Sequence, residues 1–215
     1  MHKCILFDMD GTLVNTYEGI FNSYKYAFEK MNLDFPGQKF VGKVIGAPLL
    51  SVFKETLGLS DEKALEAVEH YRKYYSEFGK DELVVYDGIR ESLAMLKQKE
   101  YFLGIATLKR EIFAKEILKN QELEQYFDIV CGIDENDKLT KCDLLKKCMI
   151  QLKCKPAETI LVGDSEYDAE GAEEAAIDFM AVLYGFGFQT EESLKRYKLK
   201  FIAEKGEEIP KKILQ

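Results

Sequence analysis

Short apolar runs alternating with stretches of helical spacing set the chain's pattern. Ile5-Leu6-Phe7 lies close to the start and ends in Asp8-Met9-Asp10-Gly11; its length fits a buried strand better than a helix. Similar runs recur at Phe102–Thr107, Phe127–Val130, Thr159–Val162, Phe179–Leu183 and Phe201–Ile202. Between them, apolar residues fall three and four apart: Ile89, Leu93 and Leu96; then Ile112, Phe113, Ile117 and Leu118. Helices are further expected over Cys142–Gln151 and Ala169–Ala176. Strands alternating with helices of this length predict an α/β fold with a parallel sheet and helical crossovers.

Residues 15–82 break that alternation. Ile20, Phe21, Tyr24, Ala27, Phe28 and Met31 form one amphipathic face. Pro36-Gly37 interrupts it, and further helices are expected over Lys39–Val44, from Leu49 to a stop at Gly58, and from an N-cap at Ser60 to about Gly79. Tyr71, Tyr74, Tyr75 and Phe78 read as core of this module and as interdomain contact rather than as a recognition stripe. The predicted organisation is a core of residues 1–14 and 83–215 with a helical module, 15–82, inserted after the first strand.

The bulk properties remove several function classes. The formal net charge is -8 and there is no Lys/Arg-rich block, so no basic footprint for nucleic acid or an anionic membrane is present. Five irregularly spaced cysteines predict free thiols in a reducing compartment, and two histidines leave little for a histidine-based metal site. The start Met1-His2-Lys3-Cys4 lacks a signal-like segment and no run approaches membrane-spanning length, so the expectation is a cytoplasmic protein. A monomer and a homodimer are equally compatible with the chain.

The candidate chemistry lies where strands end. In an open α/β sheet, ligands bind beyond the carboxyl ends of the strands. The first strand ends at Asp8, the second core strand at Thr107, and the Thr159 strand at Asp164. Alternation sends Asp8 and Asp10 the same way if the chain stays extended, and such a pair can divide nucleophilic and proton-transfer work. Gly11 permits a tight turn or a close approach to a bound group. From these residues alone, a strand ending in a solvated turn reads equally well.

Asp8-Met9-Asp10-Gly11-Thr12-Leu13 resembles the first motif of the haloacid-dehalogenase-like phosphatases, Asp-x-Asp-Gly-Thr-Leu. Gly163-Asp164-Ser165-Glu166-Tyr167-Asp168 resembles their last, Gly-Asp-Ser-x-x-Asp. Val44-Ile45-Gly46-Ala47-Pro48-Leu49 is similar to a cap segment of the phosphoglycolate-phosphatase-like branch, with Ala47 in place of a proline. The resemblance implies a Rossmann-like core with an inserted helical cap and a Mg²⁺-dependent phosphatase acting on a small phosphomonoester through an aspartyl-phosphate. A phosphomutase, a nucleotidase and a non-catalytic phospho-ligand-binding protein are the alternatives.

It further implies Asp8 as nucleophile, Asp10 as general acid and base, and Thr107 as a hydroxyl donor to the phosphoryl group. Leu108 stands where this branch has a small polar residue. Lys141, or Lys138 if the loop is shifted, supplies the charge-offsetting ammonium. Mg²⁺ would be held by Asp8, the Asp10 main-chain carbonyl and Asp164, with Asp168 in an outer position. Gly11 and Lys43 are further substrate-contact candidates. Lys109 and Arg110 read as ordinary polar residues near the mouth of the site, with substrate contact as the weaker option.

Overall fold

The computed structural model describes residues 2–133 and 138–215. The chain divides into two compact units, Met1–Asn15 with Val85–Gln215, and Thr16–Val84.

Among the described residues eight strands are formed: β1 (Cys4–Phe7), β2 (Val14–Asn15), β3 (Val84–Val85), β4 (Phe102–Arg110), β5 (Ile129–Ile133), β6 (Thr159–Gly163), β7 (Asp178–Val182) and β8 (Phe201–Ala203). Six make one all-parallel sheet in the order β5-β4-β1-β6-β7-β8. The short β2 and β3 pair separately. β1 and β6 are buried along their whole length, as expected for central parallel strands covered on both faces. On one face, Cys4 and Leu6 pack with Leu144, Leu145 and Met149 of helix Lys141–Leu152 and with Ala169 and Ala172 of helix Glu166–Glu174. On the other, the Phe7 ring meets Phe127 edge-on at 6.1 Å.

The order has a consequence for function. From β1 the chain builds outward through β4 and β5, then crosses back to place β6 on the other side of β1. The reversal lies between β1 and β6, and the crevice at such a switch point is where open α/β sheets bind ligands. Phe7 is in register with Ile105 of β4 and Val162 of β6, so the ends of three adjacent strands lie side by side.

The second unit is helical: Tyr17–Lys30, Gln38–Val44, Leu49–Ser51 running into Val52–Thr56, and Asp61–Tyr74 running into Tyr75–Gly79. Its core is aromatic, with Tyr24 against Phe40, Phe53 and Tyr71. The expectation for Phe78 needs correcting: its side chain leans on Tyr74 but the residue is 54% exposed. Among the described residues no helix is long and apolar enough to cross a membrane, and all five cysteines are free.

Candidate active site

Asp8 follows β1 directly, its N–H donating to the Val162 carbonyl at 2.9 Å. The chain then turns rather than staying extended: the Thr12, Leu13 and Val14 amides all donate to the Met9 carbonyl, and Gly11 takes φ +82°. Strand alternation therefore does not set the two carboxylates; the turn does. Asp8 is paired with Lys141 at 2.6 Å, whereas Asp10 Oδ2 meets Lys109 Nζ at 3.0 Å.

Lys141 opens its helix behind a capping box, in which the Thr140 hydroxyl accepts from the Asp143 amide and Asp143 accepts from the Thr140 amide. Such a box fixes where the first turn begins and so where the lysine starts. Its ammonium is buried and faces three acceptors: Asp8 Oδ1 at 2.6 Å, Asp168 Oδ1 at 2.7 Å and the Ala106 carbonyl at 2.8 Å. An ammonium has three N–H donors, so this one is saturated. Lys138 is exposed. Of the two lysines weighed from sequence, Lys141 is the one brought to Asp8.

Asp168 is fully buried. Its Oδ2 accepts from the Ser165 amide at 3.0 Å and hydroxyl at 2.7 Å, capping helix Glu166–Glu174, while Oδ1 forms the ion pair with Lys141. Asp164 is held differently. Its Oδ2 accepts from the backbone amides of Phe186 at 2.7 Å and Gly187 at 3.1 Å, and its Oδ1 from the Thr12 hydroxyl at 3.4 Å. A Cβ on Gly11 would lie 2.3 Å from Asp164 Oδ2, and one on Gly185 would lie 2.4 Å from Asp164 Cβ. Only glycine admits the carboxylate at either place.

The loop Tyr184–Gly187 was not singled out from sequence, although it supports both the last motif and the first: the Tyr184 hydroxyl donates to the Thr12 carbonyl at 2.8 Å. The signal was there as Gly185-Phe186-Gly187 just past a strand end. Lys109 also differs from its expected role. β4 does not stop at Thr107 but continues to Arg110, with a register shift against β5 between those residues. The Lys109 amide donates to the buried Thr107 hydroxyl at 3.2 Å, and the Lys109 side chain is 7% exposed. Lys43 is exposed on helix Gln38–Val44 of the second unit, and Glu166 pairs with Arg196 at 2.6 Å.

Carboxylate oxygens of Asp8, Asp164 and Asp168 lie within 4.8 Å of one another, all buried. Burial above all pushes the Asp8 carboxyl above its ordinary range; Lys141 pulls it back, and Asp168 and Asp10 push it further up. Asp164 is raised by burial and then by Asp168 and Asp8, against the two amides that favour its charge. Burial would depress the Lys141 ammonium, yet Asp168 and Asp8 hold it above the usual lysine value. A set of hard oxygen donors with uncompensated negative charge fits a divalent cation such as Mg²⁺. The Asp10 carboxylate is outside this cluster, so any part it has in metal binding is left to its main chain.

This arrangement has known parallels. The sequence matches the haloacid dehalogenase-like hydrolase family over residues 5–182. It is 34% identical to a 5'-nucleotidase of Pseudomonas aeruginosa, over 87% of this chain and 85% of that one. It is 32% identical to the tyrosine-protein kinase PtkA of Mycobacterium tuberculosis, over 86% of this chain but 63% of that longer protein. A crystal structure of a predicted phosphatase from Clostridium acetobutylicum superposes with a TM-score of 0.93 at 37% identity, covering 100% of this chain and 99% of the other. With the strand order, the aspartate cluster and this match in agreement, the chain belongs to the haloacid dehalogenase-like hydrolases and is a phosphoric monoester hydrolase.

Proposed function

We propose that the protein hydrolyses a small phosphomonoester in two steps through a phosphoryl group carried on Asp8. The observation that carries this reading is the buried Asp8 carboxylate, paired with Lys141 at 2.6 Å beside Asp164 and Asp168 at the sheet's switch point. In the first step a carboxylate oxygen of Asp8 attacks phosphorus and the bond to the bridging oxygen breaks. Asp10 gives its proton to the departing oxygen. In the second, Asp10 takes a proton from water, which attacks the same phosphorus, releasing phosphate and restoring the Asp8 carboxylate.

Lys141 keeps Asp8 ionised and aimed, and its saturation by three acceptors makes it a positioning group before it is a phosphate ligand. The Thr107 hydroxyl and the Gly11 region supply the phosphoryl contacts. Asp8 and Asp164 would hold Mg²⁺ with the Asp10 carbonyl, while Asp168, engaged with Ser165 and Lys141, orients them. Bound there, Mg²⁺ would neutralise charge on the transferring phosphoryl oxygens.

The substrate reading is narrower than the class. Phosphoglycolate follows from the cap-segment resemblance, with Lys43 of the helical unit as a contact to the substrate's anionic end. A nucleoside monophosphate is the second reading, favoured by the likeness to the 5'-nucleotidase. Five free thiols suit the cytoplasm. The experiment is phosphate release from a panel of phosphomonoesters, with and without Mg²⁺, for the protein and for Asp8→Asn. Metal-dependent release abolished by the substitution is expected. Release that persists in folded Asp8→Asn, or none from any compound, would overturn the reading.

A further inference from the structure

Lys109 is the second ammonium of the site, and the reaction outlined above gives it no part. Its Nζ stands 3.0 Å from Asp10 Oδ2 with the side chain 7% exposed. The register shift of β4 and the bond from the Lys109 amide to Thr107 fix the backbone from which it projects. Burying an ammonium carries a desolvation cost, and its ion pair with Asp10 is one of the interactions that offset it. A lysine with a merely solubilising role would sit elsewhere.

We propose that Lys109 selects substrates whose leaving group carries an anionic oxygen close to the bridging oxygen, as a phosphate or a carboxylate does. This rests on the reading in which Asp10 protonates the leaving oxygen. A general acid works within about 2.6–3.2 Å of its target. Lys109 is 3.0 Å from the same carboxylate, which puts its ammonium within roughly 6 Å of the leaving oxygen. The first charged atoms of a short leaving group fall in that range. With substrate bound, the ammonium is shared between Asp10 and that anionic oxygen, while a neutral alcohol offers it nothing. The phosphorus–oxygen bond still breaks with the Asp10 proton passing to the leaving oxygen, and Lys109 gives up no proton. Lys141 cannot take this task, because Asp8, Asp168 and Ala106 already occupy its three donors.

The test compares the protein with Lys109→Met and Lys109→Arg on pyrophosphate, phosphoglycolate and ethyl phosphate in the presence of Mg²⁺. Lys109→Met should lower kcat/KM for one or both anionic-leaving-group substrates by about 10- to 100-fold relative to ethyl phosphate, the range for a hydrogen bond to a charged group. KM should carry much of that loss, and Lys109→Arg should recover part of it. The substrate that loses more identifies the group recognised, phosphate or carboxylate. Calorimetric binding of the same two compounds to Asp8→Asn, with and without Lys109→Met, should show a matching loss without turnover. An equal kcat loss on all three substrates would make Lys109 only a positioning group for Asp10 and overturn the proposal. So would a protein active only on uncharged leaving groups, with the phosphatase reading left standing. Release from no compound of the wider panel would remove that reading, and this proposal with it.

Discussion

Replacing Lys141 by methionine tests the centre of the site. The substitution keeps an unbranched side chain, one atom shorter, and removes one charge that faces Asp8 at 2.6 Å, Asp168 at 2.7 Å and the Ala106 carbonyl at 2.8 Å. Two buried carboxylates are then left side by side. Breaking a buried pair from one end costs about 3–5 kcal/mol. For a chain of this size each kcal/mol moves the melting temperature by about 2–4 °C, so a drop of roughly 6–20 °C is expected near pH 7.5. The sign is clear at that pH. The folded ammonium titrates above its ordinary value, so its contribution is complete below about pH 10.4 and is lost only as pH rises through the folded value.

Acid should shrink the deficit. Asp8 is already displaced upward by burial, and without the ammonium that pulls it back its carboxyl takes up a proton more readily as pH falls from about 7.5 to 5.5. The wild type gains less from the same change, because Lys141 pulls the Asp8 carboxyl back down against burial. Calorimetric melts at both pH values give the stability terms, and phosphate release gives activity, expected to fall about 10²- to 10³-fold as for loss of an electrostatic donor. Lys138→Met, at an exposed position, should stay within about 0.5 kcal/mol of the wild type and keep its activity. A Lys141→Met protein that melts within about 2 °C of wild type, or a Lys138→Met protein that loses activity, would refute the reasoning.

Mg²⁺ removal should separate wild type from Asp164→Asn. At a hundredfold excess over its dissociation constant the cation should stabilise the wild type by about 2.7 kcal/mol; Asp164→Asn should lose most of that shift while melting higher than wild type in chelator, because one of three crowded carboxylates is gone. An unchanged metal shift in the variant would exclude Asp164 as a ligand. In the helical unit, two glycine-to-alanine changes should have opposite signs. A Cβ on Gly19 would lie 1.9 Å from the Gly79 carbonyl oxygen, so overpacking of about 1–3 kcal/mol is expected, whereas Gly42 has nothing within 4 Å and should gain about 0.5–1 kcal/mol of helix propensity. Denaturant melts that gave both changes the same sign would contradict the close packing of Gly19 on Gly79.

The parts of the fold that could be read from sequence are those whose burial is continuous. β1 and β6 are covered on both faces and appear as unbroken apolar runs, and helix Glu111–Asn120 spans the Ile112, Phe113, Ile117 and Leu118 positions whose spacing predicts it. Where burial is partial, the pattern drifts. β5 runs over Ile129–Ile133 rather than Phe127–Val130, and its exposure is intermediate at both ends. The ends of β1, β4 and β6 were expected to converge, and the strand order makes them neighbours. Partners of polar residues could not be read this way. Lys109 read first as an ordinary polar residue near the mouth, with substrate contact second, because the register shift beside it and its pairing with Asp10, far away in the chain, leave no local signal. The Tyr184–Gly187 loop was missed for the same reason: its amides matter only once β7 lies beside β6.

The charge of the chain looks unsuited to an anionic substrate, and the site resolves this locally. Four carboxylates, Asp8, Asp10, Asp164 and Asp168, stand with two ammonium groups, Lys109 and Lys141. A divalent cation would bring that set close to neutrality, to one net positive charge when Asp10 carries the proton it gives to the leaving oxygen. The remaining attraction must then come from direction rather than net charge: amides and hydroxyls fixed by the turn after β1, and ammonium groups fixed by a capping box and a strand irregularity. Fixed donors cost no reorganisation when charge moves from the leaving oxygen to the enzyme. In the proposed mechanism the division of labour between the lysines would be the basis of specificity, with Lys141 committed to Asp8, the proposed nucleophile, and Lys109 standing by Asp10, the proposed acid for the leaving oxygen.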